Sequence, residues 1–351
     1  MQYAFLAMCR LRILAIVLVA ASVLPGAASA YPWPFKPFHV QHPIRGFFGD
    51  PRTVYRTGLV ADALTGPGVF SFHQGVDVAA PDGTPIYPVA SGTAHYLGAA
   101  TLVVATGHRV MFQYFHVVPV VGEGQHVTVS QTVIGYVQAP YGHVHITEID
   151  GTRVVNPLAK GHLTPYRDTT KPTIRAVTVE DRLGTVDGPL CGRVELDANV
   201  FDTPPLPVPG PFNGLPVAPA FVAWSLMRPG HGVVVKRTVA DFRTVLPPNR
   251  RFWTVYAKGT YENSPRFGRE QYRSLPGRYL FLLAGSLDTT TLPNGDYVVT
   301  VRAQDIRGNT AVATRRISIL NEGDAACPRS LPGPGAAPPP PELPSQGAAT
   351  P

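Results

Sequence analysis

Apolar residues in the first half of the chain fall into short runs that are separated by glycine and proline turns. One of these turns is Pro81-Asp-Gly83. The runs predict strands at residues 86–89, 93–97, 102–105, 110–118 and 133–137. Because several short strands occur without an amphipathic helix between them, the sequence predicts a compact antiparallel β fold for this half.

Residues 53–70 interrupt this pattern, since they show no strong period and run into a turn at Gly66-Pro-Gly68. We predict a loop there. It would lead to the histidine-containing motif that follows and form one wall of a groove.

The second half is also predicted to be β-structure. Apolar and polar residues alternate in residues 194–200 and, in part, in residues 297–303. The turn Asp305-Ile-Arg-Gly-Asn309 connects the latter to a further predicted strand at residues 311–319, and this hairpin resembles the last two strands of bacterial immunoglobulin-like or fibronectin-like modules. With strands at residues 221–227 and 233–239, we predict an immunoglobulin-like β-sandwich of about seven strands. The predicted class of the whole chain is therefore all-β.

Composition marks the predicted domain boundaries. Residues 31–42 are a proline-rich arm that could lie across the next domain or form a floppy leader, and residues 43–165 are the first domain. A polar, proline-containing stretch precedes the second domain at residues 172–321. Residues 322–351 are rich in Pro, Gly, Ala and Ser, and we predict that they are disordered.

Residues 1–30 have the pattern of a secretory signal peptide. Arg10 and Arg12 precede an apolar run at residues 13–24, and the segment ends in Ala28-Ser-Ala30. The alternative is an uncleaved anchor, but the run is about a dozen residues long, against the roughly 20 that a spanning helix needs. We therefore predict a secreted protein, either free or associated with a cell wall, without a stable membrane span after cleavage.

Cysteine use agrees with export. Cys9 lies in the predicted leader, so its removal leaves Cys191 and Cys327. An even pair in an exported chain favours a disulfide, which is the prediction, although two unpaired thiols are the alternative.

The charge balance is mildly basic, at +7 for the whole chain and +5 without Arg10 and Arg12. Such a charge favours weak attraction to anionic surfaces. No cluster of Lys and Arg is interleaved with aromatic residues, so nucleic acid is not a predicted partner. No oligomeric state is predicted.

One carboxylate and four histidines suggest a metal site. His73 and Asp77 are four positions apart, His116 ends an apolar run, and His143 and His145 share one face of a predicted strand. A catalytic zinc ion takes three protein ligands and keeps one position open. His73, Asp77 and one histidine of the last pair would form such a set, and His116 and the other histidine would then be free for acid–base work. The alternative is that each is an ordinary surface or strand residue.

The other histidines have no second ligand type at a spacing that a strand or turn would bring together. We therefore exclude from the site His39, His42, His95, His108, His126 and His162. His231 is the only histidine in the second half, so no comparable chemistry is predicted there.

These motifs resemble the M23 family of zinc metallopeptidases, the lysostaphin-like or LytM-like peptidoglycan endopeptidases. The resemblance rests on His73-x-x-x-Asp77 with its continuation to Thr93, on Tyr114-Phe-His116, on His143-Val-His145 and on Val155-Asn-Pro-Leu158. It implies one zinc ion held by His73, Asp77 and His145, with His116 and His143 as catalytic histidines. Thr147 and Ser130 depart from the residues usual in the family, which are glutamate and glycine.

Two functions follow from this resemblance. The first is a secreted zinc endopeptidase that hydrolyses peptide crosslinks of bacterial peptidoglycan. The second is a non-catalytic cell-wall binding or regulatory module on the same scaffold. All five candidate positions are present, which favours the enzyme.

Overall fold

The computed structural model describes residues 30–55, 68–98, 100–263, 276–321, 327 and 329–333, and in this part of the chain regular structure is almost entirely antiparallel β-strand. The strands of the first half are β1 Ile44–Gly46, β2 Pro51–Tyr55, β3 Gly68–Phe72, β4 Val76–Ala79, β5 Pro85–Ile86, β6 Gly92–Gly98, β7 Thr101–Ala105, β8 Val110–Phe115, β9 Val117–Pro119, β10 His126–Val127, β11 Gly135–Val137, β12 His143–Asp150 and β13 Arg153–Val155. Those of the second half are β14 Thr173–Asp181, β15 Gly184–Thr185, β16 Arg193–Phe201, β17 Phe221–Arg228, β18 Gly232–Asp241, β19 Leu280–Asp288, β20 Gly295–Gln304 and β21 Thr310–Ile319. One short helix, α1 Phe252–Val255, and the 3-10 turns Gly210–Phe212, Asn249–Arg251 and Thr289–Thr291 complete the described elements.

The predicted signal peptide lies outside the described residues except for its last residue, Ala30. Within the described ranges, no helix is long and apolar enough to cross a membrane.

The first half is built on an antiparallel sheet with the order β1-β4-β12-β8-β7-β6-β10, in which β13 also pairs with β12. A smaller sheet has the order β5-β11-β9. Strand β12 lies between β4 and β8, so that His145 is opposite Asp77 on one side and opposite Phe115 on the other. The register of three strands therefore brings together residues that are far apart in the sequence.

The proline-rich arm is part of the first half rather than a floppy leader. Trp33 and Phe35 are buried in the same core as the sheet residues, at 0% and 1% exposure. Trp33 Nε1 donates a hydrogen bond to the Pro165 carbonyl oxygen at 2.8 Å, and Tyr31 pairs with Leu163. Burying an aromatic side chain stabilises a fold by about 1.5–3 kcal/mol, so these two anchors fix the arm.

The second half consists of two four-stranded antiparallel sheets, with the orders β15-β14-β16-β19 and β18-β17-β20-β21. Apolar side chains of both sheets belong to one core, among them Leu196 of the first sheet and Trp224 of the second. The predicted strands of this half are all present, and β14, β15 and β19 are added to them. The specific likeness to immunoglobulin domains stays a prediction.

The two halves share a hydrophobic core. Phe48 and Phe72 of the first half pack among residues of the second, including Phe242, Phe252 and Tyr256. The ring centroids of Phe72 lie 5.5–5.9 Å from those of the three aromatic residues, which is normal aromatic packing. The polar stretch between the predicted domains thus marks a connection in the chain but no break in the packing.

Hydrogen bonds between side chains and backbone groups also join the two halves. Tyr256 Oη donates a hydrogen bond to the Gly49 carbonyl oxygen at 2.7 Å, and Asp50 Oδ1 accepts one from the Ala218 amide at 2.6 Å. Gly49 has a φ of 94°, and a Cβ atom there would lie 2.3 Å from the Phe242 ring. Only glycine allows both the positive φ and the close approach.

The prediction of a loop at residues 53–70 is wrong at both ends of this segment, where strands are found. Strands β2 and β3 form an antiparallel pair, with Thr53 opposite Phe70. The side chain of Phe70 packs on Trp253 at a centroid distance of 4.7 Å, so contacts with the distant second half stabilise a hairpin that its own sequence does not predict. Residues 56–67 lie outside the described residues.

Part of the tail predicted to be disordered is held against the second half. Arg329 NH2 donates to Asp181 Oδ1 at 3.1 Å, and the Leu331 amide donates to the Arg193 carbonyl oxygen at 2.9 Å. The prediction is therefore wrong for residues 329–333, where backbone pairing and an ion pair offset the lack of large apolar side chains. The rest of residues 322–351, apart from residue 327, lies outside the described residues.

The predicted disulfide is present, with Cys191 joined to Cys327 across a Cα–Cα distance of 5.5 Å. It closes a long loop, since the two residues are 136 positions apart. Replacing both cysteines by serine is expected to lower the free energy of unfolding by about 2–5 kcal/mol, because the open chain gains conformational entropy when unfolded. Chemical denaturation of the wild type and the double variant measures this difference. Equal unfolding free energies would contradict it.

Candidate metal centre

Three candidate ligands converge on one point. His73 follows β3, Asp77 lies on β4 and His145 on the neighbouring β12. His73 Nε2 is 2.7 Å from His145 Nδ1 and 3.1 Å from Asp77 Oδ1, and His145 Nδ1 is 3.0 Å from the same Oδ1. The three atoms therefore form a nearly equilateral triangle.

This triangle fits a zinc ion in its donor types and in its size. Bonds of about 2.0–2.1 Å in tetrahedral geometry set ligand atoms about 3.3 Å apart, so the triangle needs to widen only by a few tenths of an ångström. Two imidazole nitrogens and one carboxylate oxygen also match the donor set of a catalytic zinc site.

The other ring nitrogens of the two histidines are fixed by partners. His73 Nδ1 donates to the Phe47 carbonyl oxygen at 2.8 Å, and His145 Nε2 is hydrogen-bonded to Thr147 Oγ1 at 2.8 Å. We assign the His73 proton to Nδ1, which leaves its Nε2 lone pair directed to the triangle. Thr147 thus positions a candidate ligand.

Burial and charge favour the ligand forms of these groups. Burial, with a contribution from the Arg52 cation, lowers the pKa of His73 to about 3, which keeps the imidazole neutral. Burial alone would raise the pKa of Asp77, but His73, His143 and Arg52 together hold it well below its ordinary value. A neutral imidazole and an ionised carboxylate are the forms that bind a divalent metal.

An arginine and a glutamate that sequence reasoning did not identify support Asp77. Arg52 NH2 donates to Asp77 Oδ2 at 2.7 Å, while Arg52 NH1 lies 3.8 Å from Glu262 Oε2. Glu262 is bound to Thr53 through both its carboxylate, at 3.2 Å, and its backbone amide, at 3.1 Å. A residue of the second half therefore orients a ligand of the first half. Thr53 and Glu262 are 209 positions apart, and no local motif signals their contact.

His143 lies beside the triangle with its ring held in one orientation. Its Nδ1 donates to the Tyr141 carbonyl oxygen at 2.9 Å, and its Nε2 is 3.5 Å from Asp77 Oδ1. Burial lowers the pKa of His143 to about 4, and the nearby Arg45 cation acts in the same direction. The ring is therefore neutral near pH 7, with Nε2 as the nitrogen that can accept a proton.

His116 completes the group. Its ring stacks on Tyr141 at a centroid distance of 4.0 Å and lies 4.6 Å from the His143 ring. Its backbone has a φ of 62°, an uncommon conformation for a residue other than glycine. Such strain persists only where surrounding contacts enforce it, and it turns this residue out of the β8 direction towards the other histidines. The structure thus brings all five predicted residues together.

Arg45 is a second cation that sequence reasoning missed. Its NH1 donates to the Tyr141 carbonyl oxygen at 2.8 Å, and its NH2 lies 3.4 Å from His143 Nε2. The guanidinium also lies 3.9 Å from the ring centroid of Phe212, another residue of the second half. Burial lowers the pKa of Arg45 to about 10, so that it stays cationic at neutral pH.

Two cavities adjoin the five residues, and both are partly walled by the second half. One has a volume of about 330 Å³ and includes Phe115, Thr147 and Asn249 in its lining. The other, of about 310 Å³, is bordered by Phe212 and by Asn263 next to Glu262. The site therefore lies in a cleft between the halves of the molecule.

The histidines excluded from the site have partners elsewhere or lie apart from it. His95 Nδ1 is 2.6 Å from Glu123, His162 Nδ1 is 2.7 Å from Glu148, and His42 contacts the Pro37 carbonyl oxygen. Neither cavity at the site is lined by any of the six.

The ion pair behind Asp77 leads to a prediction. We expect Arg52→Met to lower zinc affinity by about 10–100-fold. Arg52 hydrogen-bonds to a metal ligand and orients it, and the loss of such a residue typically lowers metal affinity by this amount. Glu262→Gln should act in the same direction but less, since it contacts Asp77 only through Arg52. Competition with a chromophoric zinc chelator measures both. Arg109→Met is the matched control, as Arg109 is exposed and pairs with Asp150 at 3.4 Å, and a loss as large in this control would contradict the role of Arg52.

Comparison with known proteins gives only distant similarities. No protein-family model and no curated protein match the chain. Among solved structures, Helicobacter pylori Csd3 is 21% identical with a TM-score of 0.29, and the alignment covers 40% of this chain and 37% of Csd3. The M23 metalloprotease pseudoalterin from the deep sea is 13% identical with a TM-score of 0.24, over 40% of this chain and 82% of that one. A mutant form of the catalytic domain of the prophage-encoded M23 protein EnpA from Enterococcus faecalis is 23% identical with a TM-score of 0.25, over 39% and 99%.

Proposed function

We propose that the protein is an exported zinc endopeptidase that hydrolyses peptide crosslinks of bacterial peptidoglycan. The observation that carries this proposal is the convergence of His73 Nε2, Asp77 Oδ1 and His145 Nδ1 within 3.1 Å of one another, with two further histidines beside them. A purely structural metal site would use a fourth protein ligand and would have no need of His116 and His143.

Zinc in such a site supplies Lewis-acid chemistry, which makes water a nucleophile near neutral pH and polarises a carbonyl group. His73, Asp77 and His145 would hold the ion. Their partners Phe47, Arg52 and Thr147 keep the ligand atoms aimed at one point.

We assign His143 as the general base. Its Nδ1 proton is committed to the Tyr141 carbonyl oxygen, so Nε2 carries the lone pair that can take a proton from the attacking water and later return it to the leaving amine. A base must be unprotonated before the reaction, and burial lowers the pKa of His143, which keeps its ring neutral at pH 7.

His116 and Arg45 are placed to stabilise negative charge. The His116 ring lies against His143 and Tyr141, and the Arg45 guanidinium lies 3.4 Å from His143 Nε2. Donors that are already oriented before the reaction stabilise the oxyanion of a tetrahedral intermediate, because they need no reorganisation when the charge develops.

Peptidoglycan as the substrate rests on the resemblance of the motifs, while the geometry supports amide hydrolysis in general. Two further features agree with an extracytoplasmic wall enzyme. Residues 1–30 have the pattern of a signal peptide, and the Cys191–Cys327 disulfide is typical of oxidising compartments. The net positive charge favours approach to anionic wall polymers.

The test combines metal content with activity. Purified protein is expected to bind one zinc ion per chain, and the zinc-loaded form should clear suspensions of purified peptidoglycan, whereas chelator-treated protein should not. Walls with direct crosslinks and walls with glycine bridges should be compared, because the geometry does not select between them. Binding to both walls without clearing either would support the non-catalytic module instead.

A further inference from the structure

A second group of potential metal ligands lies well away from the histidines. Asp168, Asp202 and Asp305 are all buried, at 7%, 1% and 2% exposure, and each offers a carboxylate oxygen within 4.8 Å of the others. They come from three different segments. Asp168 belongs to the connection between the halves, Asp202 follows β16, and Asp305 begins the turn between β20 and β21.

Neighbouring donors account for only part of the bonding capacity of these carboxylates. Asp305 accepts three hydrogen bonds from the turn that it begins, including Asn309 Nδ2 at 2.6 Å. Asp168 accepts from Thr170 and from Tyr166 Oη. Asp202 Oδ1 accepts from the Thr203 amide at 2.8 Å, but Asp202 Oδ2 is buried and has no hydrogen-bond partner among the described residues. A buried oxygen without a partner destabilises a fold by about 1–3 kcal/mol, so a bound ligand at this atom would stabilise the protein.

The charge of the group points to a cation. Among the described residues, Arg307 is the positive side chain close to it, and its guanidinium lies over the Tyr166 ring at 4.9 Å and donates to the Tyr166 carbonyl oxygen. Burial, together with the proximity of Asp168 and Asp305, raises the pKa of Asp202 to about 8. Three buried carboxylates with one cation nearby therefore repel one another unless a proton or a metal ion neutralises them.

We propose that Asp168, Asp202 and Asp305 bind a structural Ca²⁺ ion that fastens the connection between the two halves to the second half. The donor set is all oxygen, which suits a hard cation and excludes a preference for zinc, and Ca²⁺ accepts the irregular geometry of ligands from three separate segments. Mg²⁺ fits less well because it demands near-ideal octahedral geometry, whereas Ca²⁺ accepts an irregular set of oxygen ligands.

A second acidic group provides a contrast within the same chain. Glu180, Glu195 and Asp197 also lie close together, but Lys258 and Arg278 border the same cavity. This group is more exposed and has no buried unpartnered carboxylate oxygen among the described residues. It serves as the control.

The test uses the full-length protein, which is freed of metal ions with a chelator, desalted and then given one equivalent of Zn²⁺. Calorimetric titration with CaCl₂ is expected to show one Ca²⁺ per chain, and about 5 mM Ca²⁺ should raise the melting temperature by about 5 °C or more. Asp202→Asn should abolish this rise, yet melt at the same temperature as the wild type or higher without Ca²⁺, because it removes a buried charge. Glu195→Gln should respond to Ca²⁺ as the wild type does.

Several results would overturn the proposal. The first is a wild type that neither binds Ca²⁺ nor melts at a higher temperature with it, and the second is an equal rise in melting temperature with Mg²⁺. The others are a normal rise with Ca²⁺ in Asp202→Asn, or a rise that is lost only in Glu195→Gln. If Asp202→Asn does not fold, Asp305→Asn takes its place, and the titration of the wild type decides the question without any variant.

Discussion

His73→Ala, Asp77→Ala and His145→Ala proteins are expected to be purified without zinc and to leave peptidoglycan uncut. Each change removes one of three ligand atoms that lie within 3.1 Å of one another, and two remaining protein ligands hold zinc poorly. The loss of zinc affinity should exceed the roughly 100-fold that is expected when a residue that only orients a metal ligand is removed. Metal analysis after gel filtration, together with a competition assay, measures it.

Folding must be followed in the same variants. Removal of the His73 ring leaves the Phe47 carbonyl oxygen without its buried donor, which is expected to lower stability by about 1–3 kcal/mol. His95→Ala is the matched control, since His95 is exposed and paired with Glu123 outside the site. Full zinc retention by His145→Ala, with loss in the other two, would contradict the assignment and make His143 the third ligand.

His116→Ala and His143→Ala are expected to keep their zinc and to lose turnover by about 10²–10⁴-fold, the usual effect of removing a positioned acid or base. His143 contacts Asp77 only at 3.5 Å, and His116 is further removed, so neither supplies a triangle atom. Turnover is measured on a soluble crosslinked wall fragment, with zinc content determined on the same samples.

The turnover of the His116→Ala/His143→Ala double variant is expected to be only slightly lower than that of the less active single variant. If the two histidines act on one proton and one developing charge, their effects should not add. Wall binding should survive in all three proteins. Wild-type turnover in both single variants would remove these histidines from the reaction.

Four of the five site residues could be predicted because they fall into two pairs with local spacing, whereas His116 has no such partner. His143 and His145 fall on one face of a strand by its period of two, and His73 and Asp77 belong to one short motif. The structure places both histidines of the pair near the same Asp77 oxygen, at 3.5 and 3.0 Å. Three of these four residues lie on two neighbouring strands, and the fourth precedes one of them by a few positions.

The groups that support the site could not be predicted, since they depend on packing between the halves. Glu262 lies beside Arg52 and Phe212 covers Arg45, although both belong to the second half, which shares a hydrophobic core with the first. A single charged or aromatic residue in a loop gives no sequence signal of a partner so far along the chain.

Two long strands of the second half were missed for different reasons. In β14 only Val179 and Asp181 are buried, so its apolar residues do not mark one buried face. Strand β19 begins with the unbroken apolar run Leu280-Phe-Leu-Leu283, most of which is buried, and it therefore lacks the alternation that identifies a half-buried strand.

The most direct test of the proposed activity is to identify the bond that is broken. Purified peptidoglycan is incubated with zinc-loaded wild type and, in parallel, with the His116→Ala/His143→Ala double variant, and the soluble fragments are analysed by mass spectrometry and amino-terminal labelling. We expect new peptide amino termini, each with a matching carboxyl terminus and intact glycan strands, for the wild type alone. Absence of new termini with wild type that carries zinc, or cleavage confined to the glycan, would contradict the proposed endopeptidase activity.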